Sequence, residues 1–279
     1  MKKFLAVFDG YKPSASTLAY AISLSKSAGA HLNGLFLDEF VYRTYSVTSV
    51  IKKYENADEV IERLDEKDRK KRDAAVQYFE KACSDAGLNW SVTRDTDIAL
   101  QELKHESIYA DLLIIDKNEN FSRIKEDPPT HFVRELLRDI QCPAIIVPEN
   151  FRDTEAVVFL YDGSPSAVYA IKMYGYLFSG MESVPAEVFC VKESGGREFI
   201  PDEKFMKEFV HRYLPDASFK AEAGNADEKI VQHLKPGTNA VMAVLGAYRR
   251  TDLSRWFKSS MADLLMKECA APLFIAHYK

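Results

Sequence analysis

Short apolar runs alternate along this chain with longer stretches whose apolar residues recur at helical spacing. In the first half the runs fall at 4–8, 31–37, 89–93, 112–115 and 144–147. They are rich in Val, Ile, Leu and Phe with little polar alternation, which suits strands buried on both faces of a parallel sheet. Between them the periodicity predicts helices over 14–28, about 56–86, 98–107 and 131–139. Gly29 and Gly87 stand where helix ends favour a residue tolerant of positive φ.

The second half repeats that order. Strands are expected at 156–161, 187–191, 218–223, 240–245 and 273–276, and helices near 166–178, 202–213, 227–233 and 260–267. Alternation through five strands implies right-handed crossovers and an open, twisted, doubly wound α/β sheet in each half. The residues themselves repeat. Asp9 and Gly10 close the first strand and lead into Pro13, Ser14 and Ser16; Asp162 and Gly163 close the sixth and lead into Ser164, Pro165 and Ser166. Each half then ends on a proline and a short apolar strand, Pro143 before 144–147 and Pro272 before 273–276. Repetition on this scale argues for two tandem domains, 1–148 and 155–279, joined by a linker near 149–154. Each is long enough to bury a core of its own.

The halves differ in one place. Asp9 to Pro143 spans 134 positions and Asp162 to Pro272 spans 110, a difference of 24. Most of it lies between the second and third strands of the first half. That excursion is expected to hold Tyr42, Tyr45 and Tyr54 in a loop, then the long charged helix. The tyrosines read as a cover over the C-terminal edge of the sheet in preference to a ligand groove.

The net charge of -5 over 279 residues gives no broad field to attract nucleic acid or an anionic membrane. At the amino terminus the apolar stretch 4–8 is too short for a secretory core. No window approaches the ~18 apolar residues of a membrane helix. The cysteines at 83, 142, 190 and 269 form no Cys-x-x-Cys pair and read as free thiols of a reducing compartment. A cytoplasmic protein is expected.

Taken with the Asp-Gly-Ser turns, the closing proline strands and the segments after each fourth strand, the chain resembles a tandem universal stress protein. The resemblance implies two Rossmann-like domains, each with a five-stranded, mainly parallel sheet. In nucleotide-binding members the segment after the fourth strand reads Gly-x-x-Gly, nine residues, then Gly-Ser or Gly-Thr. Glycines let the backbone approach phosphate, and helix N-terminal N–H groups hold the anion. In the second half that spacing survives as Gly246, Arg249, then Ser259 and Ser260, with arginine and serine at two of the three glycine positions. The resemblance therefore implies ATP or AMP as the cofactor of the second half, held by Asp162, Gly163, Val191 at the end of the second strand, Gly246, Arg249, Ser259 and Ser260. Against this, Arg249 puts a side chain where close approach is needed. In the first half Asp116 and Glu119 replace the motif and would repel phosphate, so no nucleotide is expected there.

Other chemistry lacks a residue set. The six histidines include no pair at metal-ligand spacing, and neither a nucleophile elbow nor a Gly-x-x-x-x-Gly-Lys loop is present. No second carboxylate or nucleophile accompanies Asp9 or Asp162 in the sequence. The leading expectation is a non-enzymatic stress-response protein that binds a ligand or partner; the runner-up is an ATP- or AMP-binding regulator using the second half, with which slow hydrolysis is compatible. By the same resemblance the halves pair through their last strands, 144–147 and 273–276, as an intramolecular pseudo-dimer, and a homodimer of two chains is a further expectation.

Overall fold

The computed structural model describes residues 1–37, 45–95, 98–122, 125–179, 184–192, 199–235, 240–246 and 260–277. Arg249, Ser259 and Tyr42 lie outside them.

Strands β1 (Lys3–Asp9), β2 (His31–Leu37), β3 (Trp90–Asp95), β4 (Leu112–Asp116) and β5 (Ala144–Val147) come from the first half. The second contributes β6 (Ala156–Leu160), β7 (Ala186–Lys192), β8 (Ser218–Ala223), β9 (Val241–Gly246) and β10 (Leu273–Ala276). All ten form one sheet in the order β3-β2-β1-β4-β5-β10-β9-β6-β7-β8. Read inward from each edge, the two halves have the same strand order. Every neighbouring pair is parallel except β5 and β10, which meet antiparallel with Ile145 opposite Phe274. Both central strands are fully buried, so the junction offers no open edge. At the outer edge β8 carries Lys220 and Glu222, charges of the kind that discourage further pairing.

Helices cover both faces. On one lie α1 (Ala15–Ala28), α3 (Ala57–Asp85), α6 (Pro165–Leu177) and α7 (Glu203–His211); on the other lie α4 (Ala99–Glu106), α5 (His131–Asp139), α8 (Ala226–Leu234) and α9 (Met261–Glu268). The repeated turns act alike: the hydroxyls of Ser14 and Ser164 accept the N–H of Thr17 and Ala167 and so cap α1 and α6. Gly29 ends α1 at φ 58. The linker is pinned to α1, where Ser16 Oγ donates to the Pro148 carbonyl at 2.6 Å and Tyr20 packs its ring on Phe151 at 4.7 Å.

The excursion departs from the sequence reading. Residues 47–53, expected as loop, form a further helix, α2 (Val47–Lys53). Its β-branched residues weaken the helix signal, but Ser46 caps it by accepting from Ser49 N–H, and α2 packs on α3. α3 stops one residue earlier than expected, with Ala86 as its cap and Gly87 following at φ 69. Phe79 anchors α3 to the sheet. Its ring lies on Gly34 of β2, where a Cβ would sit 2.6 Å from the ring, and packs edge-on to Phe8 and Phe36. Burying that ring contributes roughly 2–3 kcal/mol.

Candidate functional site

The switch point of each half lies where its first and fourth strands part their crossovers, the usual ligand position in an open α/β sheet. In the first half β1 and β4 are adjacent, so Asp9 and Asp116 end side by side. A cleft of about 650 Å³ opens there, lined by the acids Asp9, Asp116 and Glu119, by Ser14 and Asn118, and by the cations Lys12 and Lys125.

Each carboxylate is held. Asp9 is 5% exposed and its Oδ1 accepts the N–H of Tyr11 at 2.8 Å. Asp116 accepts Ser14 Oγ at 2.7 Å on one oxygen and Asn118 N–H at 2.9 Å on the other. Glu119 Oε1 accepts from the N–H groups of Asn120 and Phe121, at 3.0 and 3.1 Å. Burial, and after it the negative charge of Asp9, push Glu119 up to about 7, against the pull of those two N–H groups. The expectation that no second carboxylate accompanies Asp9 is therefore corrected. The pairing of β1 with β4, not sequence proximity, brings the acids together; the doubly wound strand order was the signal that could have found them.

Lys117, between Asp116 and Glu119, points elsewhere. Its Nζ donates to the carbonyl of Met266 at 2.8 Å, at the C-terminal end of α9 in the other half. Arg134 of α5 adds an ion pair to Asp263 of α9 at 3.5 Å.

In the second half Asp162 and Gly163 follow β6, Val191 lies near the end of β7, and Gly246 ends β9. These strands are neighbours, so the four residues share one end of the sheet. Asp162 is exposed and its Oδ1 accepts Ser164 N–H at 2.8 Å, closing the turn into α6. Gly163 has φ 85, and a Cβ on it would lie 3.0 Å from Pro201. Gly246 is demanded by packing: a Cβ there would sit 2.4 Å from the carbonyl carbon of Ser166, inside the first turn of α6. Ser260 caps α9, its Oγ accepting Asp263 N–H at 3.2 Å.

Tyr45 donates to Asp65 of α3 at 2.6 Å, and Tyr54 ends α2 on the surface. Cys83, Cys142, Cys190 and Cys269 are all buried thiols outside any disulfide, and burial pushes the Cys83 thiol up to about 12. Among the described residues no group of three His, Cys, Asp or Glu side chains is placed to hold a metal ion. No described helix is long and apolar enough to cross a membrane.

No protein-family model and no curated protein matches the chain. Solved structures do. A universal stress protein from Archaeoglobus fulgidus DSM 4304 aligns over 99% of this chain and 98% of its own, with a TM-score of 0.66 at 15% identity. A putative universal stress protein from Pseudomonas aeruginosa UCBPP-PA14 covers 99% and 93%, with a TM-score of 0.57 at 12% identity. The cytoplasmic domain of a prokaryotic cation chloride cotransporter covers 98% and 94%, at 0.51 and 11%. The chain therefore has the universal stress protein fold over nearly its whole length.

Proposed function

We propose that this chain is a non-catalytic, cytoplasmic protein of the universal stress type, which acts by binding a ligand or a protein partner through two halves that work as an intramolecular pseudo-dimer. The observation that carries the reading is the acid-walled switch point of the first half. Asp116 and Glu119 stand where a phosphate cradle needs glycine and open N–H groups, with Asp9 beside them, and the carboxylates disfavour phosphate even though Lys12 and Lys125 line the same cleft. The antiparallel β5–β10 pair fuses the halves across the middle of the sheet, in keeping with a single binding unit.

A second reading, an ATP- or AMP-binding regulator, is supported by Asp162, Val191 and Gly246 sharing one strand end with Ser260 opening the next helix. Arg249 and Ser259, part of that set in the sequence, would complete it. Thermal unfolding with ATP and magnesium decides between the two. No shift at millimolar nucleotide is expected for the interaction module. An upward shift that disappears in Ser260→Asp, which keeps a helix cap but sets a carboxylate against phosphate, would establish the regulator instead.

A further inference from the structure

The two switch points lie at opposite ends of the sheet. β4 runs parallel to β5 and β9 parallel to β10, while β5 and β10 are antiparallel. The carboxyl ends of the first-half strands therefore face one way and those of the second half the other. α9 crosses between these ends. It begins at Ser260, after β9, and stops at Cys269, just before β10, whose Leu273 lies opposite Ile146 near the carboxyl end of β5. Its 8 residues, at about 1.5 Å of rise each, span about 12 Å.

This helix is held at both ends. At the second-half end Ser260 Oγ accepts the Asp263 N–H at 3.2 Å. At the first-half end Lys117 Nζ donates to the carbonyls of Met266 and Cys269, at 2.8 and 3.4 Å. Ala262, Leu265 and Met266 are buried between them, so the helix is packed along its length and a shift at one end is passed to the other.

Lys117 is tied to the first-half cleft by its neighbour. Asp116 lines that cleft, accepts Ser14 Oγ at 2.7 Å, and accepts the N–H and Nδ2 of Asn118 at 2.9 and 3.0 Å, which fixes the backbone on both sides of Lys117. Burial makes the Lys117 ammonium easier to deprotonate, and the Asp116 charge is the foremost effect opposing that. One carboxylate thus borders the cleft and supports the cation that grips α9. The matching position of the second half is Ala247, whose methyl donates nothing, so this tether starts from the first-half switch point alone.

We propose that Asp116, Lys117 and α9 couple the two switch points. A ligand that engages the Asp116 carboxylate in the first-half cleft loosens the grip of Lys117 on α9, and so alters the Ser260 end of the second-half switch point. The use of this device rests on the ligand-binding reading of the first-half cleft. The coupling itself can be read without a ligand, so the failure of either leaves the other standing.

Hydrogen exchange of the full chain tests it, with Asp116→Asn standing in for a ligand that neutralises the carboxylate. Exchange across α9 should quicken by about threefold to tenfold, while α6 and α7, on the opposite face of the sheet, change by less than about twofold. Lys117→Met should quicken α9 as well, and adding Asp116→Asn to it should change α9 by less than about twofold. Should Asp116→Asn fail to fold, Asn118→Ala, which removes one hydrogen bond to Asp116, should give the same pattern at smaller size. Unchanged exchange in α9, an effect that persists without the Lys117 ammonium, or equal quickening of α6 and α7 would each overturn the proposal.

Discussion

Lys117 and Met266 are joined by a 2.8 Å hydrogen bond between a side-chain ammonium and a backbone carbonyl, across 149 residues of sequence. The ammonium reaches Cys269 O as well, at 3.4 Å, so a cation from the first half closes the carbonyl end of α9 in the second. Carbonyls of a last helical turn have no partner within the helix, and a cation there also meets the negative end of the helix dipole. Lys117→Met should keep the aliphatic stem, leave those carbonyls open, and lower unfolding free energy by about 1–3 kcal/mol. Urea denaturation reads the change. A variant as stable as the parent would show that solvent replaces the contact at no cost.

Glu119 makes stability depend on pH in an unusual direction. Its folded-state value, about 7, is above the ordinary carboxylate range, so between roughly pH 4.5 and 7 the folded chain binds the extra proton. Stability from this group therefore falls as pH rises through that window, and the penalty is complete above it. Glu119→Gln, which keeps an acceptor for the Asn120 and Phe121 N–H groups, should stabilise by roughly 1–3 kcal/mol at pH 8. Below pH 4 it should change little. Unfolding curves at the two pH values check the sign, and a variant that stabilises at pH 4 instead would contradict it.

Gly246→Ala sets a methyl 2.4 Å from the Ser166 carbonyl carbon. The obstacle is backbone in the first turn of α6, which cannot rotate aside as a side chain can. A loss of about 1–3 kcal/mol is expected, with α6 losing hydrogen-exchange protection ahead of α1. Unchanged protection of both helices would mean that the strand end shifts freely, and that the glycine is not held by packing.

Gly34 and Phe79 should behave as a coupled pair. Gly34→Ala collides with the Phe79 ring, and Phe79→Leu empties part of the same site. Each alone should cost on the order of 1–3 kcal/mol. The double variant should be more stable than the sum predicts, by about 1 kcal/mol. Strict additivity would show that the close approach of helix and strand carries no energy.

Much of this molecule is readable in the chain. The strand positions, the turns at Asp9 and Asp162 and the capping serines follow from local physics: apolar runs of strand length, and hydroxyls that satisfy open N–H groups. α2 escaped because β-branched residues mask a helix that its cap and its packing on α3 nonetheless form. The sequence spacing also puts Asp162, Val191 and Gly246 at strand ends, but not the reason for Gly246, which is the nearness of a helix begun eighty residues earlier in the chain. The grouping of Asp9, Asp116 and Glu119 and the reach of Lys117 to α9 belong to tertiary structure alone. Periodicity and capping act over a few residues and are written in the neighbours of each position. Burial, charge coupling and close backbone approach depend on which elements the sheet order brings together, and that is decided only when the chain has folded.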